Sequence, residues 1–137
     1  YPDYENIMVN GKLGKELITE RDWISNELLP KVQQRGKAVI DARGASSATS
    51  AAKAALDTVV ACENQTPSGE LFSAAVLSDG CYGIPEGIIS SFPVTCANGD
   101  YSIVKGLDLN AFSRERIDIS AAELVTERNT VSELGLI

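Results

Sequence analysis

The sequence contains no histidine, and this absence limits the chemistry that its 137 residues can perform by themselves. Histidine is the commonest general base near neutral pH and the commonest metal ligand, so serine–histidine and cysteine–histidine catalysis are excluded within this chain. Phosphate-binding loops of the G-x-G-x-x-G and G-x-x-x-x-G-K-[ST] types are absent too, which argues against dinucleotide binding by this stretch alone. The Asp and Glu residues do not pair inside apolar runs, and we interpret them as solvated surface groups rather than acid–base catalysts.

Cysteine and positive charge are also scarce. Cys62, Cys81 and Cys96 are odd in number and lack C-x-x-C spacing, which argues against a disulfide framework or a structural zinc site and favours a reducing compartment. A net charge of −7 without a cluster of Lys and Arg argues against a nucleic-acid partner. No apolar run reaches the roughly 20 residues of a membrane helix, and no secretory leader is recognised. We therefore expect a cytoplasmic protein with no metal site, no nucleic-acid partner and no membrane partner.

What the sequence does contain is typical of a globular protein. Hydrophobic residues make up 44% and charged residues 23% of the chain, and a chain of this length can bury about two-thirds of its unfolded surface around one core. The length predicts a single domain. Because the chain begins at Tyr1 rather than at a methionine, we expect it to be a piece of something longer.

One stretch joins two helical patterns and is the first place to look for function. Residues 43–52 read Arg-Gly-Ala-Ser-Ser-Ala-Thr-Ser-Ala-Ala. Gly44 has free access to positive φ and is predicted to end the first helix. Ser46 or Ser47 is predicted to cap the second helix, whose small side chains leave room for a ligand or another backbone. The alternative interpretation is a tight helix–turn–helix junction without a ligand.

Before this junction, the sequence predicts a short strand at Ile7–Val9 that returns through the turn pair Asn10-Gly11. A helical pattern then starts at about Glu20. Pro30 interrupts it, which predicts a kink or a fresh helix start near Leu29. Gly36 lies on the apolar face of the continuing helix, where a glycine favours close packing against a neighbour.

After the junction, a helix is predicted over residues 48–61, with an alanine-lined face and an ion pair between Lys53 and Asp57. Three strands are predicted next, at 71–77, 88–96 and 101–107, and Asn98-Gly99 predicts a hairpin between the last two. Pro93 falls inside the second strand, so we expect it at a sheet edge or a bulge. A last helix is predicted to begin at the capping-box pattern Ser120-Ala121-Ala122-Glu123 and to end at Gly135, with its acidic and basic side chains facing water.

Short motifs along the chain also follow one another in a specific order and spacing: Gln33-Gln34-Arg35-Gly36, Ala42-Arg43-Gly44-Ala45-Ser46-Ser47-Ala48, Ser50-Ala51-Ala52, Ser78-Asp79-Gly80, Tyr82-Gly83-Ile84-Pro85, Ser91-Phe92-Pro93-Val94, Gly106-Leu107 and Phe112-Ser113-Arg114. Together with Tyr1-Pro2-Asp3 they resemble the C-terminal, substrate-binding part of cytosolic-type NAD-dependent malate dehydrogenases, in the lactate/malate dehydrogenase family. The resemblance covers nearly the whole chain. It implies an α+β domain over residues 1–137, an antiparallel sheet packed with long helices, from which the N-terminal dinucleotide-binding domain is absent.

The resemblance also implies an activity and a set of site residues. Members of the family reversibly oxidise malate to oxaloacetate, a tricarboxylic acid cycle reaction, and pass the hydride to NAD, which is bound mainly by the missing domain. The family's arginine clamps and aspartate–histidine pair precede the position of Tyr1, so no catalytic residue is expected in this chain. By resemblance, Ser46 and Ser47 lie near the substrate and Ser50 near the nicotinamide. Arg35 and Arg43 are interpreted as structural.

The resemblance further implies a homodimer and a partner half that binds the dinucleotide. Two alternatives remain at this point. The chain could be a non-catalytic association module that uses its small-residue helices, or it could belong to a dehydrogenase for another 2-hydroxy acid such as lactate. NAD and NADP are likewise not distinguished by these residues.

Overall fold

The computed structural model describes residues 2–137, with Arg21 described through its backbone only. The chain divides into two compact units. Tyr4–Val59 form the first, called the helical unit here, and Val60–Ile137 form most of the second, called the sheet unit. Among the described residues, no helix is both long enough and apolar enough to cross a membrane.

The helical unit begins with a small hairpin. Strands β1 (Met8–Val9) and β2 (Lys12–Leu13) pair in antiparallel fashion. Asn10 and Gly11 between them both adopt positive φ, at 51° and 77°, as a two-residue type I′ turn requires. The hairpin predicted from Asn10-Gly11 is therefore confirmed. A short helix α1 (Gly14–Leu17) follows directly.

A continuous helical run with one irregular turn occupies the middle of this unit. Helix α2 (Arg21–Trp23) leads into a π-helical turn (Ile24–Leu28), which leads into α3 (Leu29–Arg43). Pro30 stands in the first turn of α3, where its missing N–H is no loss to the helix. An α-helix does start at Leu29 as predicted, but it continues the π-helical turn without a break, since Leu28 and Leu29 both have helical φ and ψ. The N–H of Leu29 reaches back five residues to the carbonyl of Ile24, which is the π-helical hydrogen bond.

Helix α4 (Thr49–Glu63) connects the two units in sequence, and the ion pair predicted on it, Lys53 Nζ to Asp57 Oδ2, is present at 2.6 Å. The sheet unit then folds as an antiparallel meander of β3 (Phe72–Leu77), β4 (Ile89–Ala97) and β5 (Asp100–Ile103), with β4 in the centre. Asn98 and Gly99 between β4 and β5 have φ of 56° and 83°. The predicted Asn98-Gly99 hairpin is confirmed.

The core of the sheet unit lies between β4 and the last helix. Phe92, Val94 and Cys96 alternate along β4 and are 1%, 0% and 3% exposed, as the period-two pattern of a strand with one buried face requires. Ala121 of helix α5 (Ala111–Glu133) belongs to the same buried cluster. The antiparallel sheet packed with a long helix that was predicted is confirmed.

Helix α5 begins well before the predicted position, and this part of the prediction was wrong. Its N-cap is Asn110, whose side chain accepts a hydrogen bond from the Ser113 N–H at 2.8 Å. Ser120 and Glu123 therefore lie inside the helix and do not form its capping box. The helix runs through Ser120 because residues 111–119 contain neither Gly nor Pro to stop it. The predicted end is close, since Gly135 follows at φ 69°.

Pro93 is on the central strand rather than at an edge or bulge, so that prediction was wrong as well. The Val104 N–H donates to the Pro93 carbonyl at 2.8 Å. In an antiparallel pair of this type the N–H of residue 93 would return the bond to the carbonyl of Val104, but proline has no N–H. The Tyr82 hydroxyl takes its place and donates to that carbonyl at 2.6 Å. Strand β5 ends at Ile103, short of the predicted Leu107. It therefore ends one residue before Val104, whose carbonyl accepts the hydrogen bond from Tyr82.

Candidate functional site

The serine junction is built around Gly44. This residue ends α3 in the left-handed region at φ 73°, and its N–H donates to the Ile40 carbonyl at 2.7 Å. The predicted glycine stop is confirmed. Four residues without regular structure, 45–48, then lead into α4. A short irregular turn of this kind fixes its residues closely because few conformations join two helices over so short a span.

The serines do not cap the second helix in the predicted way. Helix α4 begins at Thr49, so Ala48 holds the N-cap position, and its carbonyl accepts the first helical bond from the Ala52 N–H at 2.9 Å. The cap predicted at Ser46 or Ser47 was therefore wrong by one or two residues. Ser47 instead bonds the Ser50 hydroxyl through its own hydroxyl. This contact ties the loop to the first turn of α4.

The three candidate serines differ in exposure and contacts. Ser46 and Ser50 are exposed, and Ser47 is half-buried. The structure brings Ser47 and Ser50 together, while the Ser46 carbonyl accepts a long hydrogen bond of 3.5 Å from Arg43 Nη1. Arg43 thus holds the loop backbone, in keeping with its interpretation as a structural residue.

This set of groups determines what the junction can do chemically. A hydroxyl donates one hydrogen bond and accepts others, and its oxygen does not titrate in the physiological range. Ser46, Ser47 and Ser50 can therefore orient a carboxylate, a carbonyl or a carboxamide, but they cannot act as the general acid or base. The described residues contain no group of three or more Cys, Asp or Glu side chains placed to hold a metal ion.

The apolar faces that flank the junction are exposed rather than packed within this chain. Leu56, Val59 and Val60 on α4 are each more than half exposed. Among the described residues, nothing lies within 4 Å of the position that a Cβ on Gly36 would take. The close packing predicted at Gly36 is not made by the described part of this chain.

The helical unit also contains a shallow cleft of about 370 Å³, lined by Leu17, Ile18, Thr19, Glu20 and Trp23. Its lining includes none of the predicted site residues. Only one ionisable side chain, Glu20, contributes to it, and that carboxylate has no cationic partner in the lining. The cleft therefore offers no set of groups for acid–base chemistry.

A second arrangement, which the sequence did not predict, centres on Tyr82. Its hydroxyl donates to the Val104 carbonyl and accepts from the Leu107 N–H at 3.3 Å. Its own carbonyl accepts a hydrogen bond from the Arg114 guanidinium. Three residues that lie 22, 25 and 32 positions later in the sequence are thereby fastened to Tyr82, which itself adopts a left-handed conformation at φ 54°. We call Tyr82, Val104, Leu107 and Arg114 the Tyr82 network.

The loop that carries Tyr82 is ordered by its first two residues. The buried Ser78 hydroxyl donates to the Ile84 carbonyl at 2.8 Å and accepts from the Gly80 N–H at 3.1 Å. Asp79 Oδ1 accepts from the Cys81 N–H at 3.1 Å, and its Oδ2 forms a 2.5 Å ion pair with Lys105. The side chains of Ser78 and Asp79 therefore fasten this connection internally and to Lys105.

The ionisable groups of this loop are shifted accordingly. A hydrogen bond from the Cys81 thiol, followed by one from Lys105, holds the pKa of Asp79 well below its usual value. Burial and then the hydrogen bond to Asp79 raise the pKa of Cys81 to about 11. Because a thiol with so high a pKa carries little thiolate at neutral pH, Cys81 is a poor nucleophile.

The sequence and the fold of this chain are both similar to those of known proteins. A family model described as the lactate/malate dehydrogenase α/β C-terminal domain matches residues 1–134. The structure is similar to a malate dehydrogenase from Naegleria fowleri, with 44% identity, a TM-score of 0.86, and coverage of 98% of this chain and 41% of that one. It is also similar to a Trichomonas vaginalis lactate dehydrogenase in complex with NADH and oxamate, with 26% identity, a TM-score of 0.84, and coverage of 98% and 43%.

A malate dehydrogenase from Plasmodium falciparum in complex with NADH matches at 19% identity with a TM-score of 0.76, over 96% of this chain and 43% of that one. At that identity the likeness concerns the fold alone. The chain therefore spans about two-fifths of the length of the structures it matches.

Proposed function

The chain belongs to the lactate/malate dehydrogenase family through its α/β C-terminal domain, and from this premise we propose that the protein containing it reversibly oxidises malate to oxaloacetate with NAD. The observation that carries the choice of malate is the identity of 44% with a malate dehydrogenase, against 26% with a lactate dehydrogenase of the same fold. Lactate is the second candidate substrate because that lactate dehydrogenase matches over 98% of this chain.

Residues 1–137 contribute one side of the active site in this proposal. Ser46 and Ser47 donate hydrogen bonds to the substrate, and Ser50 bonds the carboxamide of the nicotinamide. The support is chemical, since neutral hydroxyls fit a carboxylate and an amide without introducing a charge that would compete with the reaction. NAD supplies the hydride acceptor when it is bound, mainly by the N-terminal half. The proton is handled outside this chain, because the chain contains no histidine.

The contact between Ser47 and Ser50 links the proposed substrate site to the proposed cofactor site. One hydroxyl near the substrate and one near the cofactor share a hydrogen bond, so the orientation of either depends on the other. We propose that this pair keeps the two ligands in fixed relative positions, which is how positioning groups increase a rate without taking part in proton transfer.

We further propose a homodimer in the cytoplasm. The exposed Leu56, Val59 and Val60 of α4 support an interface because apolar side chains clustered on one helix are costly to leave in water. The three unpaired thiols, Cys62, Cys81 and Cys96, support a reducing compartment.

The test uses the full-length protein and compares malate with lactate, each with NAD and with NADP. We expect turnover with malate and NAD. Replacing both Ser46 and Ser47 by Ala should raise the KM for malate about tenfold, since a neutral hydrogen bond contributes about 0.5–1.5 kcal/mol and each 1.4 kcal/mol is a factor of ten. Ser50→Ala should raise the KM for NAD instead.

Ser68→Ala is the matched control, because this exposed serine lies in a turn of the sheet unit and outside the junction. It should leave both KM values unchanged. A preference for lactate would overturn the choice of substrate. Unchanged kinetics in both junction variants would overturn the role of the serines while leaving the family unaffected.

A further inference from the structure

Two of the three thiols are neighbours although 33 residues separate them in the sequence. Cys62 lies in the last turn of α4, and Cys96 is the last but one residue of β4. Both belong to the sheet unit. Burial is the largest cause of the raised pKa of Cys96, and the neighbouring Cys62 adds to it through its charge and through a side-chain hydrogen bond.

Hydrogen bonds to the backbone of Cys96 hold the segment that follows α4 next to it without involving the thiols. The Thr66 N–H donates to the Cys96 carbonyl at 2.9 Å, and the Cys96 N–H donates to Thr66 Oγ1 at 2.8 Å. These two bonds fasten the segment that follows α4 directly to residue 96. Cys62 is four residues before Thr66, so it is presented from the end of a helix that this pair of bonds anchors.

The two thiols also differ in accessibility, and this difference determines which of them an oxidant reaches first. Cys62 is half-buried and can be reached from solvent, whereas Cys96 is buried. The third thiol, Cys81, bonds Asp79 instead. An oxidant in solution therefore meets Cys62 first, and the thiol that stands next to it is Cys96.

We propose that Cys62 and Cys96 form a reversible disulfide when the protein meets a low-molecular-weight disulfide such as oxidised glutathione. The Cys62 thiolate attacks one glutathione sulfur, which forms a mixed disulfide and releases one glutathione thiolate. Cys96 then loses its proton, and its thiolate attacks the Cys62 sulfur and displaces the second glutathione thiolate. Two protein thiols are oxidised to one disulfide, and one oxidised glutathione is reduced to two thiols.

The consequence is a covalent link between the end of α4 and the central strand of the sheet. In the reduced state the Thr66 bonds hold the segment after α4 to that strand without a covalent link. The proposal does not depend on the substrate or on the activity of the protein, and it concerns residues outside the serine junction.

The experiment exposes the folded full-length protein to excess oxidised glutathione, blocks remaining thiols by alkylation, and digests the product with a protease that cleaves after glutamate. This protease separates the three cysteines into the peptides Leu28–Glu63, Leu71–Glu86 and Gly87–Glu115. Mass spectrometry should find the first peptide linked to the third, and the second carrying alkylated Cys81. Reduction should release the link.

Denatured protein provides the reference. In an unfolded chain, shorter loops close more readily, so links from Cys81 to either neighbour in sequence should predominate. Selective formation of the most widely separated pair in the native protein therefore reports the folded geometry. The same mixture of links in native and denatured protein would overturn the proposal.

Three variants complete the test. Cys96→Ser should leave Cys62 as a lasting mixed disulfide with glutathione, and Cys62→Ser should abolish the link. Cys81→Ser is the matched control and should leave the link between the other two peptides unchanged. Oxidation should raise the melting temperature of the wild type and of Cys81→Ser, but not that of Cys62→Ser. A native protein in which Cys62 stays fully alkylated or stops at the mixed disulfide contradicts the proposal.

Discussion

Replacing Tyr82 by Phe tests whether one hydroxyl compensates for the proline in the central strand. The change removes a single oxygen and keeps the ring. It leaves the Val104 carbonyl without the 2.6 Å bond from the hydroxyl and the Leu107 N–H without its acceptor at 3.3 Å. Because Pro93 has no N–H, the strand itself offers the Val104 carbonyl no replacement donor on that side.

The expected cost follows from these two contacts. An intramolecular hydrogen bond contributes about 0.5–1.5 kcal/mol net, and a partly buried group left unpaired costs about 1–3 kcal/mol. The long bond to Leu107 adds little, so we expect Tyr82→Phe to lower the local free energy of opening by about 2 kcal/mol. Since each 1.4 kcal/mol is a factor of ten, exchange of the Val104 and Leu107 amides should become roughly 30-fold faster.

A double-mutant cycle separates this explanation from a general loss of packing. Pro93→Ala restores an N–H that points toward the Val104 carbonyl. In that background the carbonyl keeps a donor when the hydroxyl is removed, so Tyr82→Phe should cost about 1 kcal/mol less than in the wild type. Hydrogen exchange measured residue by residue on the four proteins gives the coupling.

Tyr101→Phe is the control, because Tyr101 lies on β5 of the same sheet with half of its surface exposed. It should leave exchange at Val104 and Leu107 unchanged. Additive effects of Tyr82→Phe and Pro93→Ala would refute the reasoning, since two donors that serve one carbonyl cannot act independently.

Two further predictions concern the ends of the sheet unit. Asn110→Ala should destabilise α5 by about 0.5–2 kcal/mol because it removes the N-cap, whereas Ser120→Ala, inside the helix, should have almost no effect. Urea unfolding of the two variants measures this difference. A larger effect at Ser120 would place the helix start there. The depressed pKa of Asp79 means that its ionised form stabilises the fold at neutral pH, a contribution present above its ordinary value of 3.8 and lost as the pH falls further below it. Asp79→Asn should therefore lower the urea midpoint at pH 7 and converge with the wild type in acid; a constant difference at every pH would contradict this.

Local backbone chemistry explains what could be predicted from the sequence. Asn98-Gly99 and Asn10-Gly11 specify two-residue hairpins because both positions tolerate positive φ. Gly44 specifies a helix end for the same reason, and Pro30 fits the first turn of a helix because its missing N–H is not needed there. In each case the determining residue acts on its immediate neighbours, so the local structure can be predicted from the sequence without knowledge of the fold.

The errors arose where a distant residue decided the outcome. Pro93 was expected at an edge or a bulge because its missing N–H is not needed there, yet the Tyr82 hydroxyl from the preceding loop replaces that N–H as the donor. Ser120 was expected to start a helix because its spacing to Glu123 fits a capping box, but Asn110 had already capped the same helix.

The candidate site shows the same limit. Ser46, Ser47 and Ser50 were selected by resemblance, and their role stays a prediction; the structure adds the contact between Ser47 and Ser50. The Tyr82 network was not predicted, because its bonds join residues 22, 25 and 32 positions apart. Its members nevertheless lie in or beside the family motifs, so the co-occurrence of those motifs was the signal that could have pointed to a shared contact.

The π-helical turn at Ile24–Leu28 changes which sequence positions face inward. In a regular α-helix at 3.6 residues per turn, five residues carry a side chain about 140° away from its starting direction. The π-helical bond from Leu29 to Ile24 stacks these two residues instead, and both are buried. The helix therefore contains one residue more than its inward face needs, so periodicities counted on either side of the turn are out of phase by one position. A relative that lacks one residue here can keep the same buried face with an ordinary α-helix, and an alignment gap within this turn would then mark conserved geometry rather than divergence.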